Sequence, residues 1–88
     1  MSIEQRLSEL GIVLPEPPAP AAAYVPGLLA GRLAFVSGQL PSVDGKLAAV
    51  GKLGKDLSLE EGQAAARIAA INCLGVLKAL LGSLDRVE

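Results

Sequence analysis

The sequence predicts a small α+β domain, an antiparallel β-meander packed against one long helix. Three observations carry that expectation. From Leu59 to Leu81 there is no proline and the residues are mostly alanine and leucine, with Ser58-Leu59-Glu60-Glu61 in front and Gly82 behind. The short apolar run Leu33-Ala34-Phe35-Val36 is followed by Gly38 and Pro41, the punctuation of a buried strand. Val43-Asp44-Gly45-Lys46 places an Asp-Gly hairpin dipeptide shortly downstream.

In chain order, the first element is a short helix. Ser2 caps it, Glu4 complements the dipole of its first turn, and Gly11 follows Leu10 as a C-terminal stop. Ile3, Leu7 and Leu10 share one face, so this helix docks on something, and docking must supply its stability. Four prolines between positions 15 and 20 then exclude helix and interior strand. That run is expected to be extended, polyproline-like and largely exposed, a stiff connector. Three segments follow: 1–14 a helical extension, 15–22 a proline-rich connector, and 23–88 the main domain.

Tyr24, the only tyrosine, stands just before the Pro26-Gly27 turn signal. Leu28-Leu29 and Leu33 to Val36 form two strands joined across Ala30-Gly31-Arg32. A third strand is expected over Leu47 to Val50, extending toward Leu53, and completes the meander. Ser37-Gly38-Gln39, at the exit of the second strand, is unusual. Ser37 and Gln39 bring hydrogen-bonding groups to the edge of an apolar layer, and glycine between them lets a backbone or ligand approach. A β-bulge would read the same way. On either reading, Gly38→Val is expected to crowd the exit.

The last element is a helix of roughly 35 Å. Ser58 and Glu61 form a capping box and Gly82 is its C′ residue. Its apolar residues wrap most of the way round, leaving Gln63, Arg67 and Lys78 as a polar stripe. Ala65, Ala69, Asn72, Val76 and Ala79 form a face of mostly small residues. Gly75 costs about 1 kcal/mol against alanine at such a position, which points to close packing there. Three short strands cannot bury this helix alone.

Composition narrows function by exclusion. Of the 88 residues, 51% are hydrophobic, 2% aromatic and 19% charged, so much apolar surface must be hidden with few bulky groups. That imbalance predicts self-association or a missing partner segment. A net charge of −1 leaves no footprint for nucleic acid or an anionic membrane. No histidine is present, which removes Ser-His and Cys-His nucleophile pairs and the commonest metal ligand. Cys73 is the single cysteine, mid-helix among apolar neighbours, and a reducing compartment is expected. Gly51-Lys52-Leu53-Gly54-Lys55-Asp56 falls short of a phosphate loop: Ala49 replaces the first glycine, and Asp56 the hydroxyl residue. Met1 to Leu10 is too polar for a secretory segment, and Arg67, Asn72 and Lys78 interrupt the longest apolar stretch. The expected location is the cytoplasm, with no membrane contact.

Tyr24-Val25-Pro26-Gly27, the Leu33–Pro41 stretch Leu-Ala-Phe-Val-Ser-Gly-Gln-Leu-Pro, the glycine-bearing hairpin and the alanine-rich helix together resemble the reactive-intermediate deaminase (Rid, or YjgF) family. The resemblance is to its N-terminal half, in a subgroup with an N-terminal helical extension, and runs over essentially the whole chain. One departure is Ala22-Ala23, where many members have Gly-Pro. The resemblance implies the N-terminal half of a chorismate-mutase-like fold, assembled as a homotrimer with pockets between subunits. It implies hydrolysis of reactive 2-imino or enamine acids to 2-keto acids and ammonia, with no cofactor and no metal. The ligand is a small carboxylate-bearing molecule, bounded by Tyr24, Ser37, Gly38 and Gln39. The family's carboxylate-clamping arginine and late glutamate lie in its second half. Arg32, Arg67 and Arg86 do not match the arginine, nor Glu88 the glutamate. The expectation is therefore a piece of a longer protein, inactive alone. The alternative is a non-enzymatic small-ligand-binding or interaction module on the same trimeric scaffold.

Overall fold

A computed structural model describes residues 2–17 and 25–88. Helix α1 (Ile3–Glu9) opens on a capping box in which the Gln5 N–H donates to Ser2 Oγ at 3.1 Å and the Ser2 N–H to Gln5 Oε1 at 3.0 Å. Gly11, at φ 72°, takes the left-handed turn that ends it. Seven residues are too few to hold a helix alone. Its docking is largely polar: the Glu4 N–H donates to Asp85 Oδ1 at 2.9 Å, while the Glu4 carboxylate accepts from the Leu84 N–H at 2.9 Å and pairs with Lys78 at 3.0 Å.

Strands β1 (Gly27–Ala30) and β2 (Leu33–Val36) form an antiparallel hairpin, with Gly27 opposite Val36 and Ala30 opposite Leu33. Strand alternation puts Gly27, Leu29, Ala34 and Val36 on one face and Leu28, Ala30, Leu33 and Phe35 on the other. The first face lies toward α2. A Cβ at Gly27 would stand 2.8 Å from Leu80 Cδ1 and 2.7 Å from the Phe35 carbonyl, so only glycine fits that approach.

Strands β3 (Ser42–Val43) and β4 (Lys46–Leu47) form a second, shorter hairpin. Its turn residues Asp44 and Gly45 sit at φ 52° and 81°, the left-handed pair that the Asp-Gly signal calls for. The α+β class and the antiparallel pairing onto a long helix hold. The single three-stranded meander does not: the described strands form two separate ladders, and the strand expected over Leu47–Val50 ends at Leu47. Pro41 offers no N–H to continue a ladder from β2. Beyond β4 the chain folds back on itself in a turn, where the Lys52 carbonyl accepts from the Asp56 and Leu57 N–H groups.

Helix α2 (Leu59–Leu81) begins with the expected capping box, Ser58 Oγ accepting from the Glu61 N–H at 3.2 Å and Glu61 Oε1 from the Ser58 N–H at 3.0 Å. Gly82 ends it at φ 82°. A 3₁₀ turn (Leu84–Arg86) follows. The core is small: Val76 and Leu84 are the buried apolar side chains among the described residues. At Gly75 the connector crosses the helix, and a Cβ there would stand 2.7 Å from the Pro15 carbonyl, the close packing that the glycine foretells. Pro15 and Glu16 are exposed, while Leu14 and Pro17 are half-buried against this flank, so the first part of the connector is laid on α2. The expectation that no segment has the apolar length for a bilayer is corrected: α2 has both the length and the mean hydropathy, 1.6 in its best window. Here its inner flank is covered by protein, the two hairpins and the connector.

Candidate functional site

The exit of β2 is stitched to the entry of β1. The Ser37 N–H donates to the Pro26 carbonyl at 2.8 Å, and the Ser37 hydroxyl donates to the Val25 carbonyl. Gln39 Nε2 donates to the Ser37 carbonyl at 3.2 Å, folding that side chain back over the strand end. Farther on, Asn72 Nδ2 donates to the Leu40 carbonyl at 2.9 Å and to the Ser42 carbonyl at 3.0 Å. Peptide groups from Ser37 to Ser42 are thereby held by partners outside any sheet ladder, a fixed loop across the middle of α2.

Ser37, Gly38 and Gln39 thus run in one stretch of chain held to the entry of β1. Tyr24 lies outside the described residues, although its neighbour Val25 is the residue that Ser37 grips. Gly38 is exposed, and a Cβ built there meets no protein atom within 4 Å. The expectation that a side chain at position 38 would crowd the exit is corrected, since the space in front of it is open. None of the three residues lines the clefts described next.

Clefts flank α2, and the two larger among the described residues lie on its hairpin sides. One of about 510 Å³ lies between β2 and the last turns of the helix, with Leu29, Ala34, Leu77 and Leu81 inside and the Arg32–Glu88 ion pair at its rim. The other, of about 450 Å³, lies between the β3–β4 turn, the connector and Asn72. Among the described residues no group of three His, Cys, Asp or Glu side chains converges to hold a metal. The Gly51–Asp56 turn is closed to an anion, because the Asp56 carboxylate already accepts from the Lys52 N–H at 3.0 Å.

Two carboxyls are pushed off their ordinary range, and both are pushed down. The Leu84 N–H and then Lys78 hold Glu4 below 4.5, and the Ser58 N–H and hydroxyl do the same for Glu61. Each is a structural anchor at a helix N-terminus rather than a carboxyl poised to give up a proton at neutral pH. Asn72 is the residue that sequence reasoning missed: it was counted into a face of small residues. The signal was an amide in the middle of Ala-Ala-Ile-Asn-Cys-Leu, where an apolar residue would cost nothing.

The chain matches, over residues 4–88, the model of a family described as "YjgF/chorismate mutase-like, putative endoribonuclease". It is similar to Protein TCP17 of Trypanosoma cruzi, 44% identical over 86 residues that make up 98% of this chain and 54% of that protein. A crystal structure described by the same endoribonuclease words, from Shewanella oneidensis, superimposes with TM-score 0.91 at 40% identity, over 98% of this chain and 57% of the other. A protein of unknown function from Agrobacterium tumefaciens superimposes with TM-score 0.78 at 44% identity, over 96% of this chain and 50% of the other. The chain thus spans about half the length of each.

Proposed function

The chain belongs to the YjgF/chorismate mutase-like family, and from that premise we propose that it forms the N-terminal half of a protein that hydrolyses reactive 2-imino or enamine acids. In that reaction water adds to the C=N carbon, the C–N bond breaks, and a 2-keto acid and ammonia leave. The observation that carries the reading is the exit of β2, which lies within the family match, with its backbone fixed and open space before Gly38. Fixed peptide dipoles at an open edge need no reorganisation when a small polar substrate arrives. In this reading Ser37, Gly38 and Gln39 line that wall, and the family resemblance assigns Tyr24 to the same pocket. The guanidinium that clamps the substrate carboxylate and the carboxyl that handles water come from outside these 88 residues.

Assembly belongs to the same proposal. The chain exposes 6317 Å², against about 4,800 Å² for a folded monomer of its mass. The surplus exceeds the ~800 Å² that one partner contributes to a standard-size protein interface. It is concentrated in apolar groups: on the outer face of the first hairpin Leu28, Leu33 and Phe35 are 48%, 63% and 52% exposed. That surface supports burial in a homotrimer, with the hairpin turned inward and the pocket completed by a neighbour.

A role in cutting RNA, which the relative's description names, finds less support. Within these 88 residues the net charge of −1 supplies no basic groove for a phosphate backbone. The second reading is a binding module that keeps the trimeric scaffold and does no chemistry.

The test is ammonia release from 2-iminopropanoate generated by an amino-acid oxidase. It is run with the 88-residue chain and with a polypeptide extended to the length of the relatives. Acceleration by the extended protein and none by the 88-residue chain is expected. No acceleration by the extended protein overturns the deaminase reading in favour of the binding module.

A further inference from the structure

The cleft between the second hairpin and α2 has chemistry that the strand exit does not share. Its volume, about 450 Å³, falls in the range of small-molecule sites. The floor is apolar, from Ile68 and Ile71 of α2, Val13 just before the connector and Pro15 at its start, and Glu16 and Asp44 line it from two different elements. Neither carboxylate belongs to an ion pair among the described residues, and residues 18–24 carry no basic side chain.

Asn72 adds a third acceptor. Two carbonyl oxygens at 2.9 and 3.0 Å can be met only by the amide NH₂, so both hydrogens are spent and the orientation of the group is fixed. Its Oδ1 therefore points away from those carbonyls, and no donor reaches it among the described residues. The residue is 5% exposed and lines the cleft. Glu16, Asp44 and Asn72 together offer oxygen acceptors over an apolar floor, and among the described residues no cation answers them.

We propose that this cleft binds a small amphipathic primary amine, whose ammonium meets Glu16 and Asp44 and whose apolar body lies on Ile68, Ile71 and Val13. An aliphatic ammonium stays charged to pH ~10 and brings three donors with no acceptor, the complement of this lining. The preference is opposite in sign to that of a site for carboxylate-bearing substrates, so the two stand or fall separately. Because both carboxylates are exposed, each pairing is weak and affinity is expected to be low.

Amide chemical shifts of the ¹⁵N-labelled chain, titrated with phenethylamine, 2-phenylethanol and 3-phenylpropanoate, test it. Phenethylamine is expected to move the signals of residues 42–45 and 68–72. The neutral alcohol should bind those positions about tenfold more weakly, a difference of ~1.4 kcal/mol in binding free energy. The double variant Glu16→Gln, Asp44→Asn should erase that difference while leaving the rest of the spectrum in place, since asparagine tolerates the positive φ of position 44. Equal binding of amine and alcohol, tighter binding of the carboxylate, or shifts confined to other residues would overturn the proposal.

Discussion

The two hairpins are built from the same kind of local signal, a turn dipeptide between apolar flanks, yet different forces hold them. The first has four residues in each strand and a glycine that lets it lie directly on Val76 and Leu80. Backbone pairing and apolar contact suffice for it. The second has two residues in each strand, and its inner anchor is one amide side chain reaching up from α2. A ladder that short cannot repay its own ordering entropy, so a buried donor must reach its Ser42 carbonyl, and the Leu40 carbonyl just before it, from outside. The shorter the element, the more its position is set by a single non-local group.

That contrast can be broken at either hairpin. Removing the amide should have the largest effect. Asn72→Leu keeps the volume but leaves the Ser42 carbonyl without its donor and takes one of two donors from the Leu40 carbonyl, at a cost of about 2–4 kcal/mol. Denaturant unfolding reads the cost, and hydrogen exchange should place the lost protection in β3–β4 and not in β1–β2. An unchanged midpoint would mean that the second hairpin is held by something other than Asn72.

At the first hairpin, Gly27→Val forces its side chain against a backbone carbonyl and Leu80, with an expected loss of about 1–3 kcal/mol. Perturbed methyl signals should be those of Val76 and Leu80, with residues 42–47 undisturbed. If both hairpins respond to either substitution, they are one cooperative unit and the distinction fails.

A third docking, that of α1, sharpens the comparison because it is electrostatic. The Glu4 carboxyl is held below its ordinary value of 4.5 in the folded chain. Its contribution is therefore present above that pH and is lost as pH falls through the depressed folded value. Lys78 pairs with this carboxylate, and Asp85, whose carboxylate accepts from the Glu4 N–H, faces the same junction. Below pH 4.5, α1 should detach from the 3₁₀ turn, seen as loss of amide protection at Leu84 with both hairpins intact. Glu4→Gln should weaken this docking at neutral pH and remove its share of the acid response. The smallest effect is expected at Gly38→Ala, within about 0.5 kcal/mol of zero, because the space there is open. A large loss of stability would place an unseen neighbour against the strand exit.

What was legible in the sequence is what the chain encodes locally. The capping boxes at Ser2 and Ser58, the stops at Gly11 and Gly82 and the Asp44-Gly45 turn each depend on residues within a few positions. Gly75 was legible too, because glycine in a helix is costly and asks for a reason. Pairing was not. No feature of Leu47 declares that its partner is Ser42 rather than β2, since a strand of two residues has no alternation to match. Asn72 escaped for a related reason: its role is set by carbonyls 30 and 32 residues away. Of the candidate site, the turn through Ser37, Gly38 and Gln39 was legible as a break in an apolar strand. Its open side became visible only once the chain was folded.

The bare outer face of the first hairpin has a consequence for the chain while it is being made. Neither Gly27–Ala30 nor Leu33–Val36 contains a charge or a proline, and both outer edges of the hairpin lack a partner strand among the described residues. Such segments recruit like segments from neighbouring chains whenever they are left uncovered. What stands against this is set at the ends: Pro26 before β1, Arg32 in the turn, and Pro41 five residues past the end of β2. These act as gatekeepers. Replacing Arg32 with an apolar residue should therefore be seen first in how much protein is recovered from a cell, and only later, if at all, in the structure of what survives.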